Sequence, residues 1–149
     1  MPRSATLLLV LGAAAACGGT GAAAPDAGAT DGGGCAFPAQ PFQTVSSASG
    51  QLSIELRSCP VQPPTAGENT IEYTITDASG APQDGLTLGI VPWMPAMDHG
   101  TSAKPIITDQ GDGVYVVQNV YLFMSGEWQL QTSISGPLTD SATPTIQIQ

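Results

Sequence analysis

Leu52-Ser53-Ile54-Glu55-Leu56-Arg57 alternates apolar and polar residues without a fault, and Ile71-Glu72-Tyr73-Thr74-Ile75-Thr76 does the same. A period of two is the mark of a strand with one buried face, so Leu52, Ile54 and Leu56, then Ile71, Tyr73 and Ile75, point to one side. Working outward, the turn Asp77-Ala78-Ser79-Gly80 closes the second segment. Leu86 to Val91 follows, with Leu86, Leu88 and Ile90 in phase, and then a short strand at Pro105 to Thr108. Gly111-Asp112-Gly113 predicts a hairpin turn, because glycine supplies positive φ freely. Val114 to Val117 and Val120 to Phe123 predict one strand kinked near Asn119. Glu127 to Ile134 alternates with Trp128, Leu130, Thr132 and Ile134 in phase, and Thr145 to Gln149 ends the chain with Ile146 and Ile148 inward. About seven short strands, frequent turns and no amphipathic helical stretch predict an all-β fold, an antiparallel two-sheet sandwich.

This domain occupies residues 35–149. Before it, residues 17–34 hold no large apolar side chain; from Gly18 they run GGTGAAAPDAGATDGGG. Such a segment cannot bury enough surface to offset its chain entropy, and as a flexible tether it spans about 20–25 Å r.m.s.. Residues 1–16 have the organisation of a secretory leader: Arg3, a short apolar run from Ala5 to Leu11, then small residues. The run is too short for a membrane span, which takes roughly 20 apolar residues. Ala14-Ala15-Ala16-Cys17 resembles a bacterial lipobox, in which the cysteine is lipidated and becomes the mature N-terminus. It departs from the pattern at Ala14, where leucine is usual, and it also fits an ordinary small-x-small cleavage site. With Gly18 rather than aspartate after the cysteine, the resemblance implies an outer-membrane lipoprotein. If Cys17 carries lipid, Cys35 and Cys59 remain, and an isolated pair in an oxidising compartment predicts a disulfide worth about 3 kcal/mol.

Charge excludes several functions. Charged residues make up 10% of the chain and the formal net charge is −9. Beyond Arg3 the only basic residues are Arg57 and Lys104. No positive patch exists to neutralise phosphates, so nucleic acid and anionic lipid headgroups are excluded as partners.

The chemistry is concentrated in Trp93-Met94-Pro95-Ala96-Met97-Asp98-His99-Gly100, which holds two of the methionines and the only histidine. Thioether sulfur and imidazole nitrogen are neutral ligands that suit Cu(I). Pro92 and Pro95 predict a stiff loop here rather than a helix or an inner strand. Met124 lies in a second motif, Met124-Ser125-Gly126-Glu127-Trp128. These segments, with Gly111-Asp112-Gly113-Val114-Tyr115 between them, resemble the signature of the YtkA-like (FixH-like) domain family. Members tend to read M-P-x-M-x-H-G, then D-G-x-Y, then M-x-G-x-W, and the likeness covers about Ser53 to Ile134. Asp98 stands where the family often has glycine. The resemblance implies an Ig-like sandwich on the outer side of a bacterial membrane, with copper handling or efflux adaptors among its associations.

Each motif residue also has a plainer explanation. Trp93 and Trp128 fit core aromatics, and Met94, Met97 and Met124 fit gap-fillers at one end of the sandwich. A histidine beside glycine often bonds a backbone carbonyl. Asp98 is not expected to hold the His99 ring, because neighbouring side chains in extended backbone point apart. Asp109 and Asp112 suit Asx-type turn bonds. Enzyme motifs are missing: no G-x-S-x-G elbow, no H-E-x-x-H, no phosphate loop and no dinucleotide fingerprint. One histidine cannot form a three-histidine zinc site. Two non-enzymatic expectations result. One is a Cu(I)-binding or transfer module with Met94, Met97, His99 and Met124 as ligands, exchanging with a copper-handling or envelope protein. The other is a metal-free interaction domain on a tether, whose exposed loop contacts a protein partner.

Overall fold

A computed structural model describes residues 34–149. The expected leader, the lipidation at Cys17 and the tether up to residue 33 lie outside the described residues.

Ten strands form two antiparallel sheets facing each other. The first sheet contains β1 (Gln43–Ser46), β2 (Leu52–Cys59), β3 (Gly67–Asp77), β6 (Ile106–Gly111) and β7 (Val114–Leu122), in the order β1-β2-β3-β7-β6. The second contains β4 (Thr87–Met94), β5 (His99–Gly100), β8 (Gly126–Ser135), β9 (Asp140–Ala142) and β10 (Thr145–Ile148). There β4 and β5 lie on one side of β8, and β9 and β10 share the other. Strand alternation puts the predicted faces inside. Ile54, Leu56, Ile71, Tyr73, Ile75, Trp128 and Leu130 have no exposed surface, and Ile146 and Ile148 close the core from β10.

The structure departs from expectation in three places. β1, β5 and β9 add to the predicted strands; they are two to four residues long, too short to show a period. The stretch expected as a stiff loop is mostly regular: Pro92, Trp93 and Met94 finish β4, Pro95–Met97 is one 3-10 turn, and His99–Gly100 is β5. Pro92 is tolerated because of strand parity. Leu130 donates its N–H to the Pro144 carbonyl at 2.8 Å, away from β4. The Pro92–Leu130 pair is therefore a non-hydrogen-bonded one, and the missing proline donor faces the open side of β4. Trp93, expected in the core, is only half-buried. Leu88, Ile90, Pro92 and Met94 point inward, so parity turns Trp93 to the outer face.

The predicted kink in β7 is present: Asn119 has φ 61° and its amide donates to the Lys104 carbonyl at 2.9 Å. Asp109 makes the expected turn bond, accepting from the Gly111 N–H at 2.8 Å. Asp77 accepts from the N–H groups of Ser79 and Ala81, and the Ser79 hydroxyl bond leads the causes that hold its carboxyl below the ordinary value.

Several ties join the sheets. The Tyr115 hydroxyl donates to the Gln83 carbonyl at 2.8 Å and accepts from the Leu86 N–H at 3.0 Å, pinning the crossover from β3 to β4. Tyr73 reaches Thr132 across the core at 3.4 Å, and burial pushes its phenol far above the ordinary value. Between the β1–β2 turn and β9 the Ala48 N–H donates to the Ser141 carbonyl at 2.7 Å, and Ser49 donates both N–H and hydroxyl to Asp140. Cys35 and Cys59 form the predicted disulfide, with Cα atoms 5.9 Å apart.

Two outcomes are expected. Gly113 has φ 71°, and a Cβ there would lie 2.5 Å from the Ile75 carbonyl oxygen. Gly113→Ala therefore costs about 3 kcal/mol in urea unfolding, through left-handed strain plus a backbone clash; a loss below half of that means the β3–β7 contact yields freely. The Ser47 and Ser49 hydroxyls beside Asp140 hold its carboxyl down at about 2. A depressed folded value stabilises above the unfolded value, about 3.9, and that stabilisation is lost as pH falls through the folded value. Stability should thus drop between about pH 4 and pH 2, with a visibly shallower drop in Asp140→Asn when midpoints are measured across that range.

Candidate functional site

Trp128 organises the end of the sandwich where the soft side chains lie. Its indole is fully buried, so its N–H needs a partner, and it donates to the Met124 carbonyl at 2.9 Å. That bond folds the β7–β8 connection back over the core. Phe123 meets the edge of Trp128, centroids 5.5 Å apart at 69°, and remains 46% exposed. The His99 ring stacks on Phe123, centroids 5.8 Å apart at 10°.

The β4–β5 register sets Met94 directly opposite His99. Cross-strand partners share a face, so the thioether and the imidazole belong to one side of the sheet. Met94 is nearly buried and packs into the core. Its methyl occupies the space above Gly126, where a Cβ would sit 2.5 Å from it. Met124 is half-buried against the same core, two residues before Gly126. Met94, His99 and Met124 thus share one end of the molecule. Met97 differs: it lies on the 3-10 turn and is 52% exposed.

The turn ends in a left-handed residue. Asp98 has φ 51° and ψ 41°, and its N–H donates to the Pro95 carbonyl at 3.3 Å. The carboxylate is exposed and makes no hydrogen bond to His99, although the backbone at Asp98 is left-handed and not extended as expected. Nδ1 of His99 lies 3.2 Å from the Gly100 carbonyl oxygen. A carbonyl only accepts, so this contact requires the proton on Nδ1; in the neutral ring that tautomer leaves the lone pair on Nε2. Nε2 has no hydrogen-bond partner among the described residues. Gly100 has no room for a side chain, since a Cβ would be 2.7 Å from the Pro92 carbonyl oxygen and 3.3 Å from the Trp93 ring.

Among the described residues no three His, Cys, Asp or Glu side chains gather as a metal site. A cation at this end would depend on the thioethers. That donor set is neutral and soft; it fits Cu(I) and does not fit Mg²⁺ or Ca²⁺. Phe123 belongs to the site but escaped the sequence reading, and Gly126 stood there only as a motif position with no task assigned. Phe123 could have been found from its place beside Met124, and Gly126 from the small residue that a methionine methyl needs beneath it.

The model of the YtkA-like family matches residues 46–133, more than half of the chain. The chain belongs to the YtkA-like family. Comparison with curated proteins and with solved structures gives no match. In this YtkA-like domain the spaced motif residues have definite packing tasks. Gly113 and Tyr115 lock the β3–β4 crossover, Gly126 receives Met94, Trp128 holds Met124, and Gly100 closes against Pro92 and Trp93.

The left-handed Asp98 explains why glycine is at home at this position. Asp98→Gly removes side-chain strain there, and the added freedom of the unfolded chain offsets part of the gain. Stability should change by no more than about 1 kcal/mol and toward higher stability. A clear loss in thermal or urea unfolding would mean that the carboxylate has a structural task.

Proposed function

We propose that the chain is an exported, tethered binding module for Cu(I), with Met97 and His99 as the entry ligands and Met124 and Met94 behind them. The observation that carries this is the state of His99. Its Nδ1 is committed to the Gly100 carbonyl, its Nε2 has no partner, and Met97 lies exposed two residues away with no packing task. A bonded Nδ1–H fixes ring orientation and raises the basicity of the opposite nitrogen, which is how histidine is prepared as a ligand. The burial of Met94 makes it a backing donor reached only by a small adjustment of the Gly126 turn. Thioether and imidazole ligation holds Cu(I) without stripping charge from the protein, which suits storage or transfer. The lipobox-like Ala14–Cys17 supports anchoring at the outer membrane through lipid on Cys17, with a copper-handling or envelope protein as exchange partner.

A second reading is supported by the exposed apolar side chains at this end. Met97 is 52%, Phe123 46% and Tyr121 40% exposed. Phe123 and Tyr121 line a shallow groove with Gly100–Ala103. Such a patch suits a metal-free protein contact.

Cu(I) titration against a competing chelator separates the two. The wild type should bind one equivalent, and Met97→Leu with His99→Gln should lose at least about tenfold in affinity while unfolding midpoints stay close. Wild-type affinity should fall on acidification, because protons compete for the imidazole, and the His99→Gln variant should lack that dependence. Equal affinity in wild type and double variant rejects the copper reading and leaves the protein-contact one.

A further inference from the structure

We propose that the open edge of β4 accepts an extended, acidic peptide segment of a partner protein as an added strand. Strand parity supplies the first observation. Thr87, Gly89, Val91 and Trp93 turn their backbone groups toward β8, so Leu88, Ile90 and Pro92 turn theirs the other way. β5 covers only Trp93 and Met94. The N–H and C=O groups of Leu88 and Ile90 therefore have no backbone partner among the described residues. Unpaired ladder groups on an edge are the template for strand addition.

The second observation is the space beside them. After Gly100 the chain leaves β4 instead of continuing the ladder. The Asn119 amide holds the Lys104 carbonyl at 2.9 Å, and an Ala103 N–H to Thr101 hydroxyl bond of 3.1 Å tightens the bend. An open groove of about 920 Å³ is lined by this wall, by Leu88 to Pro92 and by Ile107, and it extends past β4 to Gln131–Ser133 of β8 and Ser141–Thr143. Most natural edges are blunted by charge, proline or a covering loop. Here Pro92 removes a donor only at the end next to β5, and along Leu88 and Ile90 the loop stands away from the edge and leaves room for one strand.

Charge selects the occupant. Among the described residues there are two cations. Arg57 is engaged by Glu55 at 2.7 Å and Glu72 at 3.4 Å on the outer face of β2 and β3. Lys104 makes no ion pair among the described residues, is exposed, and stands in the groove wall. In a chain of net charge −9 this positive group, the one uncommitted cation among the described residues, favours a segment with a carboxylate at the open edge. A second copy of this chain fits less well. Its own β4 edge carries the same Thr101–Pro105 wall beside it, so two such edges cannot approach, whereas a single extended strand can enter.

Amide hydrogen exchange read by NMR on the tethered protein, without metal, provides the test. The probe is the capped peptide Thr-Val-Asp-Val-Thr-Val, with two controls: the same peptide N-methylated at alternate amides, and one with Lys in place of Asp. In the free protein the Leu88 and Ile90 amides should exchange at least about tenfold faster than those of Gly89 and Val91. The acidic peptide, raised to about 1 mM, should slow Leu88 and Ile90 by about tenfold or more, and the N-methylated peptide should not. Lys104→Glu should weaken the acidic peptide at least about fivefold and favour the lysine peptide. Unchanged exchange at Leu88 and Ile90, or equal protection by the N-methylated peptide, overturns the proposal. Protection that appears with protein concentration alone also overturns it, in favour of a second copy. Because copper is absent throughout, the result is independent of the metal reading.

Discussion

One bond sets the shape of the functional end. The Trp128 indole is the largest fully buried side chain among the described residues, and its single N–H must find an acceptor within the core. The Met124 carbonyl is that acceptor. Without it the β7–β8 connection has no reason to fold inward, Phe123 loses its edge contact, and His99 loses the ring on which it rests. Gly126 completes the arrangement by leaving a hole for the Met94 methyl. Two of the three sequence motifs therefore converge on one packing problem, the closure of this end of the sandwich, while the third, with Gly113 and Tyr115, locks the β3–β4 crossover at the other end of β7.

That closure separates what the family resemblance could and could not say. The spacing of Gly113 and Tyr115, and of Met124, Gly126 and Trp128, reports packing. Met97 and the Nε2 side of His99 are left over once packing is satisfied. A functional argument rests on those two more than on Met94, whose sulfur already has work in the core.

The long strands were legible because a period of two over six or more residues has one interpretation. β1, β5 and β9 were not, because two to four residues contain no period. Pro92 was misjudged for a definite reason. The rule against proline in inner strands assumes a donor needed on both sides, and parity at Pro92 turns the missing donor to an open edge. Trp93 followed from the same parity. Counting on from Leu88 and Ile90 through Met94 would have placed it outside, but its size drew it into the expected core. The disulfide was legible by elimination of the third cysteine. The positions of Phe123 and Gly126 needed the fold, since nothing local shows that a histidine far earlier in the chain comes to lie on that ring.

The Cys35–Cys59 link also has a mechanical meaning. It joins the start of the described chain to the far end of β2, across a sequence separation of 24. A pull on the N-terminal chain travels through the sulfurs into β2, and the loop containing β1 carries no load. β1 is an edge strand held by a single ladder, the kind that peels first under tension. The covalent bypass makes it slack while the force enters a strand with neighbours on both sides. Under the anchoring proposed above, the link would keep the domain from unravelling where the tether enters it.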